Sequence, residues 1–282
     1  MSNWGKVKGS VDVSGEINWV RRKTPPGKRL QDQVVVVSGA SRGFGRAIAL
    51  GAAEEGADVV VNYVRSADKA EQVVALIKAM GRKAIAFQAD VSKLAQVKAM
   101  ADRTWKEFGH CDVMINNAGE TAPQKQSWRD LREEVIDETF ALDIKGTMFG
   151  THVFGERMLD EQKSGAIVNI GSNVTTTGSP RAPEYAVSKF AVVGITKSYA
   201  LAFAPYVRVN CAAPGWMDTE SQFEREDWTP ERRAFLIGNT PLKGLGKPEN
   251  IVPLVIFLAS QDAMYMTGNS VIADGGFSMP NI

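Results

Sequence analysis

Histidine and cysteine are nearly missing from this chain: two of each in 282 residues, His110 and His152, Cys111 and Cys211. Without paired Cys or His spacing there is almost nothing from which to build a structural or catalytic zinc centre, so no metal is expected. Each cysteine follows or ends an apolar segment, which suits a buried reduced thiol better than a disulfide framework and favours the cytosol. Charge of one sign is lacking too. With 33 Lys and Arg against 32 Asp and Glu, there is no bulk positive field for nucleic acid, and a small-molecule partner is expected. No apolar run approaches a membrane span, and residues 1–30 lack the apolar segment of a secretory signal. The expectation is a cytoplasmic protein with no membrane partner.

The opening 30 residues are instead a mixed stretch, with Trp4, Trp19, a basic cluster at Arg21 to Lys23 and Pro25-Pro26-Gly27. They read as an N-terminal extension with a stiff linker, either a solvated tail or an arm whose tryptophans dock on a neighbouring subunit. Residues 31–282 read as one domain, since α/β units of this length often share a single core.

From Gln33 onward short apolar runs alternate with stretches of helical period. QVVVVSGA, ADVVVNY, KAIAFQAD, CDVMINNAG, GAIVNIGS, VRVNCAAP and SVIADGG read as strands covered on both faces, because their hydrophobicity is nearly continuous. Strand and helix in alternation imply an α/β fold, a Rossmann-type doubly wound parallel sheet of about seven strands. One long interruption, residues 214–248, holds Trp216, Phe223, Trp228 and Phe235. Connections of this length are usually functional or mobile. Its aromatics either cover an apolar substrate or form the core of a small helix pair.

SGASRGFGRAIA, residues 38–49, begins as the first strand ends and runs into a helix. A helix start offers free amide donors and a positive dipole end to a pyrophosphate, and glycines let the backbone approach. The residues of this dinucleotide cradle are Gly39, Ser41, Arg42, Gly43, Phe44 and Gly45. At the end of the second strand an acid would chelate the adenosine ribose and repel a 2′-phosphate. Asp58 precedes that strand, at its wrong end. The ribose end offers Asn62, Tyr63, Arg65 and Ser66, with Arg42 closing from the other side. Arginine binds phosphate through several directed donors, so NADP(H) is expected over NAD(H), with use of both as the alternative.

EYAVSKF, residues 184–190, puts Tyr185 and Lys189 one helical turn apart on one face. A phenol ordinarily titrates near about pH 10, and a fixed cation beside it favours the phenolate. Such a pair can give or take a proton.

The spacing G-x-x-x-G-x-G resembles the short-chain dehydrogenase/reductase family, whose first turn reads TGxxxGxG, with Ser38 in the place of the threonine. The resemblance spans nearly the whole chain after Leu30: Asp90 after the third strand, NNAG at 116–119, Ser172 in NIGS, YxxxK at Tyr185 and Lys189, Pro214-Gly215 with Thr219 behind, and DGG at 274–276. It implies an oxidoreductase. Tyr185 exchanges a proton with the substrate oxygen, Ser172 hydrogen-bonds that oxygen, and Lys189 also holds the nicotinamide ribose. Asp90 and Val91 would meet the adenine, and Asn117, Ala118 and Gly119 would pass the ribose. Pro214, Gly215, Met217 and Thr219 would border the nicotinamide amide. Asn116 would either tie strands together or touch ligand, and the DGG turn would serve packing.

Asp143 stands where the family usually has asparagine. A carboxylate accepts without donating and favours a charged Lys189, so Asp143 is expected to support the proton relay. Polar Asn173 and Thr175 to Thr177 permit a hydroxylated or cyclic carbonyl substrate. Reduction of 3-oxoacyl chains on a carrier protein is the second reading, although Leu201-Ala202 replaces the Arg-Glu pair common in such relatives. Lys163 offers another basic contact. A cofactor-binding redox sensor without turnover is the non-enzymatic alternative. AVVGITKSYALAF is apolar on more than one face, which fits either burial against the sheet or the homotetramer the family implies.

Overall fold

Four consecutive valines form β1 (Val34–Val37), and their alternation explains why the strand is apolar throughout. Val35 and Val37 join the core on one face of the sheet, while Val36 joins the core on the other. Val59, Val61 and Val60 divide in the same way on β2 (Asp58–Tyr63). A fully buried valine stabilises by about 1.5–3 kcal/mol, so these strands are held by burial on both sides. The structure is a computed structural model and describes residues 28–119, 128–225 and 227–279. Trp4, Trp19 and the Pro-Pro-Gly linker lie outside the described residues.

Between β1 and β2 runs α1 (Gly43–Glu54); α2 (Ala67–Ala79), β3 (Ala84–Gln88), α3 (Leu94–Phe108) and β4 (Val113–Asn116) follow. Next, α4 (Glu133–Thr139) passes through a π-helical stretch, Phe140–Gly146, into α5 (Thr147–Asp160). The second half contains β5 (Gly165–Ile170), the short α6 (Val174–Thr177), α7 (Pro183–Phe203) and β6 (Val207–Pro214). It closes with α8 (Glu220–Phe223), α9 (Pro230–Asn239), α10 (Pro248–Ala259) and β7 (Ser270–Ala273). The strands form one parallel sheet in the order β3-β2-β1-β4-β5-β6-β7. The order reverses between β1 and β4, so a crevice opens at the carboxyl ends of these two strands.

The body already includes Arg29 and Leu30, two residues within the stretch read as an extension. Leu30 is fully buried, and the Arg29 guanidinium pairs with Glu55 at 2.7 Å. Both cysteines are buried free thiols. Among the described helices α7 alone has the length and apolarity to cross a membrane. It is a core helix, packed on β6 and α5 and burying Ser188, Lys189 and Thr196.

Residues 214–248 contain two short helices with capped starts: Thr219 accepts from the Gln222 amide at α8, and Thr229 accepts from the Arg232 amide at α9. The four aromatics separate. Trp216 stacks on Trp228 at 6.1 Å between centroids, whereas Phe223 and Phe235 are more than half exposed. The phenylalanines are therefore not the core of a helix pair.

Candidate active site

The crevice begins at the turn after β1. Gly39 and Gly43 have φ of +62° and +55°, the left-handed region that a side chain disfavours. Gly45 is required by close approach: a Cβ there would lie 2.3 Å from the Gly39 carbonyl and 2.6 Å from the Asn117 amide nitrogen. Arg42 is the N-cap of α1 without a side-chain cap bond, and the first turn carries no acid. Such a helix start suits an anion, and the cradle therefore fits a pyrophosphate.

The far wall is the end of β4. The Ser38 hydroxyl accepts from the Asn117 and Ala118 amides, both at 2.9 Å, and donates to the Ile115 carbonyl. The Asn117 side chain returns a bond to the Ser38 carbonyl at 2.9 Å. Serine thus does a structural task at the position of the family's threonine, fixing β4 to the cradle.

At the ribose end the structure separates the four expected residues. Asn62 is fully buried: its amide donates to the Phe87 and Ala89 carbonyls at 3.2 and 2.9 Å, and its oxygen accepts from the Gly39 amide at 3.1 Å. Its side chain braces the turn and is not free for ribose, which corrects its expected role. Tyr63 is half-buried, Arg65 exposed, and Ser66 is the N-cap of α2. Asp58 lies at the start of β2 and pairs with Arg82 at 3.0 Å, far from the carboxyl end. Ser41 is half-buried beside Arg42. The Arg42 guanidinium meets Glu224 at 3.3 Å, and Lys69 of α2 meets Glu220 at 3.6 Å. Two carboxylates from the segment after β6 therefore reach the basic groups of the ribose end, a feature the sequence did not announce.

Asp90 caps the turn into α3, accepting from the Ser92 amide at 2.9 Å. The Val91 side chain is 2 % exposed and packs where a Cβ on Gly146 would fall, so only its backbone can face a ligand. Phe44 packs against the core on the α1 side.

The Tyr185–Lys189 pair lies deeper. Lys189 is buried, and its ammonium stands 5.3 Å from the centre of the Tyr185 ring. Asp143 is fully buried in the π-helical stretch, with an oxygen 3.1 Å from that ammonium and a bond accepted from the Ser188 hydroxyl at 2.7 Å. Burial works against the charged Lys189, but Asp143, then Tyr185, outweigh it and raise the lysine pKa above its ordinary value. Gly119 joins this group to the cradle wall. A Cβ there would stand 3.0 Å from the Asp143 carboxylate and 3.1 Å from the Lys189 ammonium.

Ser172 is 7 % exposed at the end of β5, and its oxygen accepts from the Val174 amide at 3.3 Å. Its neighbour Asn173 bonds the Pro214 carbonyl through its own amide and the Asp274 carboxylate through its side chain, at 3.0 and 3.2 Å. Gly215 packs on Asp274, where a Cβ would come within 2.3 Å. The DGG turn thus packs beneath the Ser172 segment and the Pro214-Gly215 bend. Met217 is buried in the core and bridges Gly246, and Thr219 caps α8.

Two further sets of contacts involve partners the sequence did not name. Asn116 donates to Asn169 and Thr151, and Asn169 donates to Thr196 at 3.0 Å, a buried polar net joining β4, β5, α5 and α7 below the site. Asn116 therefore ties strands together. The other set is a convergence of Arg181, Arg225 and Arg232 on Asp227. Arg181 is 46 residues from Asp227, and only the segment after β6 folding back on the α6–α7 connection brings it to the other three.

Comparison with known proteins gives this geometry its context. A family model described as Enoyl-(Acyl carrier protein) reductase matches residues 39–278. A 3-oxoacyl-(acyl-carrier-protein) reductase of Staphylococcus epidermidis is 38% identical over 245 residues, 86% of this chain and 98% of the relative. An L-rhamnose 1-dehydrogenase (NAD(P)(+)) of a Sphingomonas species is 35% identical over 88% of this chain and 97% of its own. Among solved structures, a mutant short-chain dehydrogenase/reductase of Serratia marcescens superposes with a TM-score of 0.81 at 33% identity, covering 89% of this chain and 99% of that one. With glycine cradle, YxxxK helix and seven-stranded sheet in agreement, the chain belongs to the short-chain dehydrogenase/reductase family and is a nicotinamide-dependent oxidoreductase acting on CH–OH and C=O groups of small molecules.

Proposed function

We propose that the enzyme prefers NADP(H) and interconverts a small-molecule carbonyl with its secondary alcohol, Tyr185 acting as general acid and base. The observation that carries this is the buried Lys189 ammonium, held by Asp143 at 3.1 Å and standing 5.3 Å from the Tyr185 ring, beside the Gly119 end of the cradle. The nicotinamide cofactor, when bound, supplies or accepts the hydride. Gly39, Ser41, Gly43, Phe44 and Gly45 would hold its pyrophosphate through backbone, and Arg42, Tyr63, Arg65 and Ser66 its phosphorylated ribose. Asp90, Val91, Asn117, Ala118 and Gly119 would line the adenosine side; Pro214, Gly215, Met217 and Thr219 would line the nicotinamide side.

Tyr185 gives its phenolic proton to the carbonyl oxygen during reduction and takes it back during oxidation. Ser172 donates a hydrogen bond to the same oxygen, stabilising charge that develops there. Lys189 keeps a positive charge beside the phenol through both steps. Asp143 positions Lys189, and its backbone can keep the relay role of the family's asparagine. Cofactor titration, followed by turnover of a carbonyl panel, tests the reading. NADPH is expected to bind tighter than NADH and to be oxidised by at least one carbonyl; a clear preference for NADH refutes the first half.

Carrier-bound 3-oxoacyl reduction is the second reading, favoured by the 38% identity to the Staphylococcus enzyme. Against it, Leu201 is 83% exposed where the docking arginine of such relatives would stand. We also propose a cytoplasmic homotetramer, with the residues ahead of Arg29 as an extension to the catalytic domain. Val187, Phe190 and Leu201 on α7 and Met148 on α5 are exposed apolar side chains suited to an intersubunit face. A monomer in sedimentation at micromolar concentration contradicts this.

A further inference from the structure

Arg181 stands four residues ahead of Tyr185, in the connection from α6 to α7, while Arg225 and Arg232 come from the segment after β6. All three converge on Asp227. Arg181 donates through one Nη at 2.7 Å, Arg225 through Nε at 2.8 Å and Nη2 at 3.1 Å, and Arg232 through Nη1. Arg232 also lies over the Trp216 ring at 5.2 Å, within the Trp216–Trp228 stack. Three guanidiniums, charged at any working pH, thus share one carboxylate.

Holding the segment in place needs only one such pair, and gathering like charges opposes it. A surplus of two positive charges among these four residues, partly withdrawn from water, is the electrostatic character of an anion site. Donors remain to serve one. Arg181 is half exposed and uses a single Nη among its described contacts, and the Trp228 indole N–H is buried without an acceptor. The cluster spans the segments that flank the reacting groups: Tyr185 follows Arg181, and Trp216 follows the Gly215 packed on Asp274 beneath Ser172.

We propose that the substrate carries an oxyanionic group, carboxylate or phosphate, bound by Arg181 and Arg232 in competition with Asp227. This rests on the oxidoreductase reading of the same site and adds no chemical step. The anion fixes the substrate at one end while its carbonyl meets Tyr185 and Ser172 at the other.

The test compares kcat/KM for oxo acids with their methyl esters of equal length, and for a phosphorylated ketone with its dephosphorylated counterpart. The charged member of one pair is expected to be favoured about tenfold or more. Arg181→Met brings that ratio towards one, and Arg181→Lys restores part of it. A ratio near one in the wild type, or one unchanged in Arg181→Met, overturns the proposal. Malonate and inorganic phosphate titrated into the NADPH-loaded enzyme give a readout independent of turnover and separate the two anion chemistries. Malonamide, which is neutral, should not bind. Asp227→Asn, which removes the competing carboxylate, is expected to bind the preferred anion several-fold tighter, the reverse of what loss of a purely structural tie would give. Failure of both anions to bind the wild type overturns the site. Should no carbonyl consume cofactor while malonate or phosphate binds, the oxidoreductase reading fails and the anion site stands.

Discussion

The floor of the site and its rim are built on different physical terms. On the floor, Lys189 and Asp143 are buried, Ser172 is nearly so, and each is held by neighbours from several elements of the sheet and its helices. At the rim, Arg42 meets Glu224 and Lys69 meets Glu220 with all four side chains about half exposed. Exposed pairs of this kind contribute about 0–1 kcal/mol, whereas removing one partner of a buried pair costs about 3–5 kcal/mol. The floor is therefore rigid and intolerant of change, as the proposed proton transfer requires. The rim can exchange partners at little cost, as the proposed choice of cofactor requires.

The sharpest way to break this contrast is Tyr185→Phe. It removes the proposed proton donor while leaving the cradle intact, so kcat should fall by about 10²–10⁴-fold with NADPH affinity nearly unchanged, read by steady-state kinetics and fluorescence titration. Unimpaired reduction by this variant would remove the phenol from the mechanism. Asp143 comes next. Asp143→Ala leaves a buried ammonium without its carboxylate and should lower the unfolding free energy by about 3–5 kcal/mol in urea melts. Asp143→Asn retains an acceptor for Ser188 and should keep kcat within about tenfold of wild type. Complete loss of activity there would give the acid a task of its own.

The fold was legible because its physics is local and repeated. Strands buried on both faces must be continuously apolar, and the seven apolar runs became the seven strands of one sheet, although the edge strands β3 and β7 are only partly buried. Tyr185 and Lys189 were legible as a helical pair for the same reason, since four residues make about one turn. The meaning of Asn62 was not. Its position beside the ribose end said nothing of the Phe87 and Ala89 carbonyls and the Gly39 amide that claim its side chain. Nor could spacing reveal that Arg181 and Asp227, 46 residues apart, share a bond. Side chains whose partners come from other segments are known only once the chain has folded.

At the rim, Arg65→Ala should lower the preference for NADPH over NADH by about tenfold, the effect of one charge-assisted bond of about 1.5–3 kcal/mol partly screened by water. Turnover with saturating NADH should change little. Glu224→Gln releases Arg42 from an exposed pair and should tighten NADPH by no more than about fivefold. Opposite shifts in these two variants would confirm that the rim tunes the cofactor. Equal losses with both cofactors would make the arginine structural.

The smallest effects expected come from pH, and they separate the two regions by direction. The Lys189 pKa is raised above its ordinary 10.5, with Asp143 and Tyr185 together overcoming burial. A raised lysine contributes stability that is present below about 10.5 and is lost as pH climbs through the folded value. The Asp227 pKa is lowered below its ordinary 3.8, first by its hydrogen bond to Arg225, against burial, and then by the charges of Arg225, Arg232 and Arg181. A lowered carboxylate contributes stability that is present above about 3.8 and is lost as pH falls through the folded value. Unfolding midpoints should therefore respond to Asp143→Asn on the alkaline limb, where Lys189 loses the partner that raises it, and to Asp227→Asn on the acid limb. If Asp227→Asn also moved the alkaline limb, its arginine cluster and the Lys189 group would form a single electrostatic unit, and the proposed anion contact could not be altered without disturbing the proposed proton transfer.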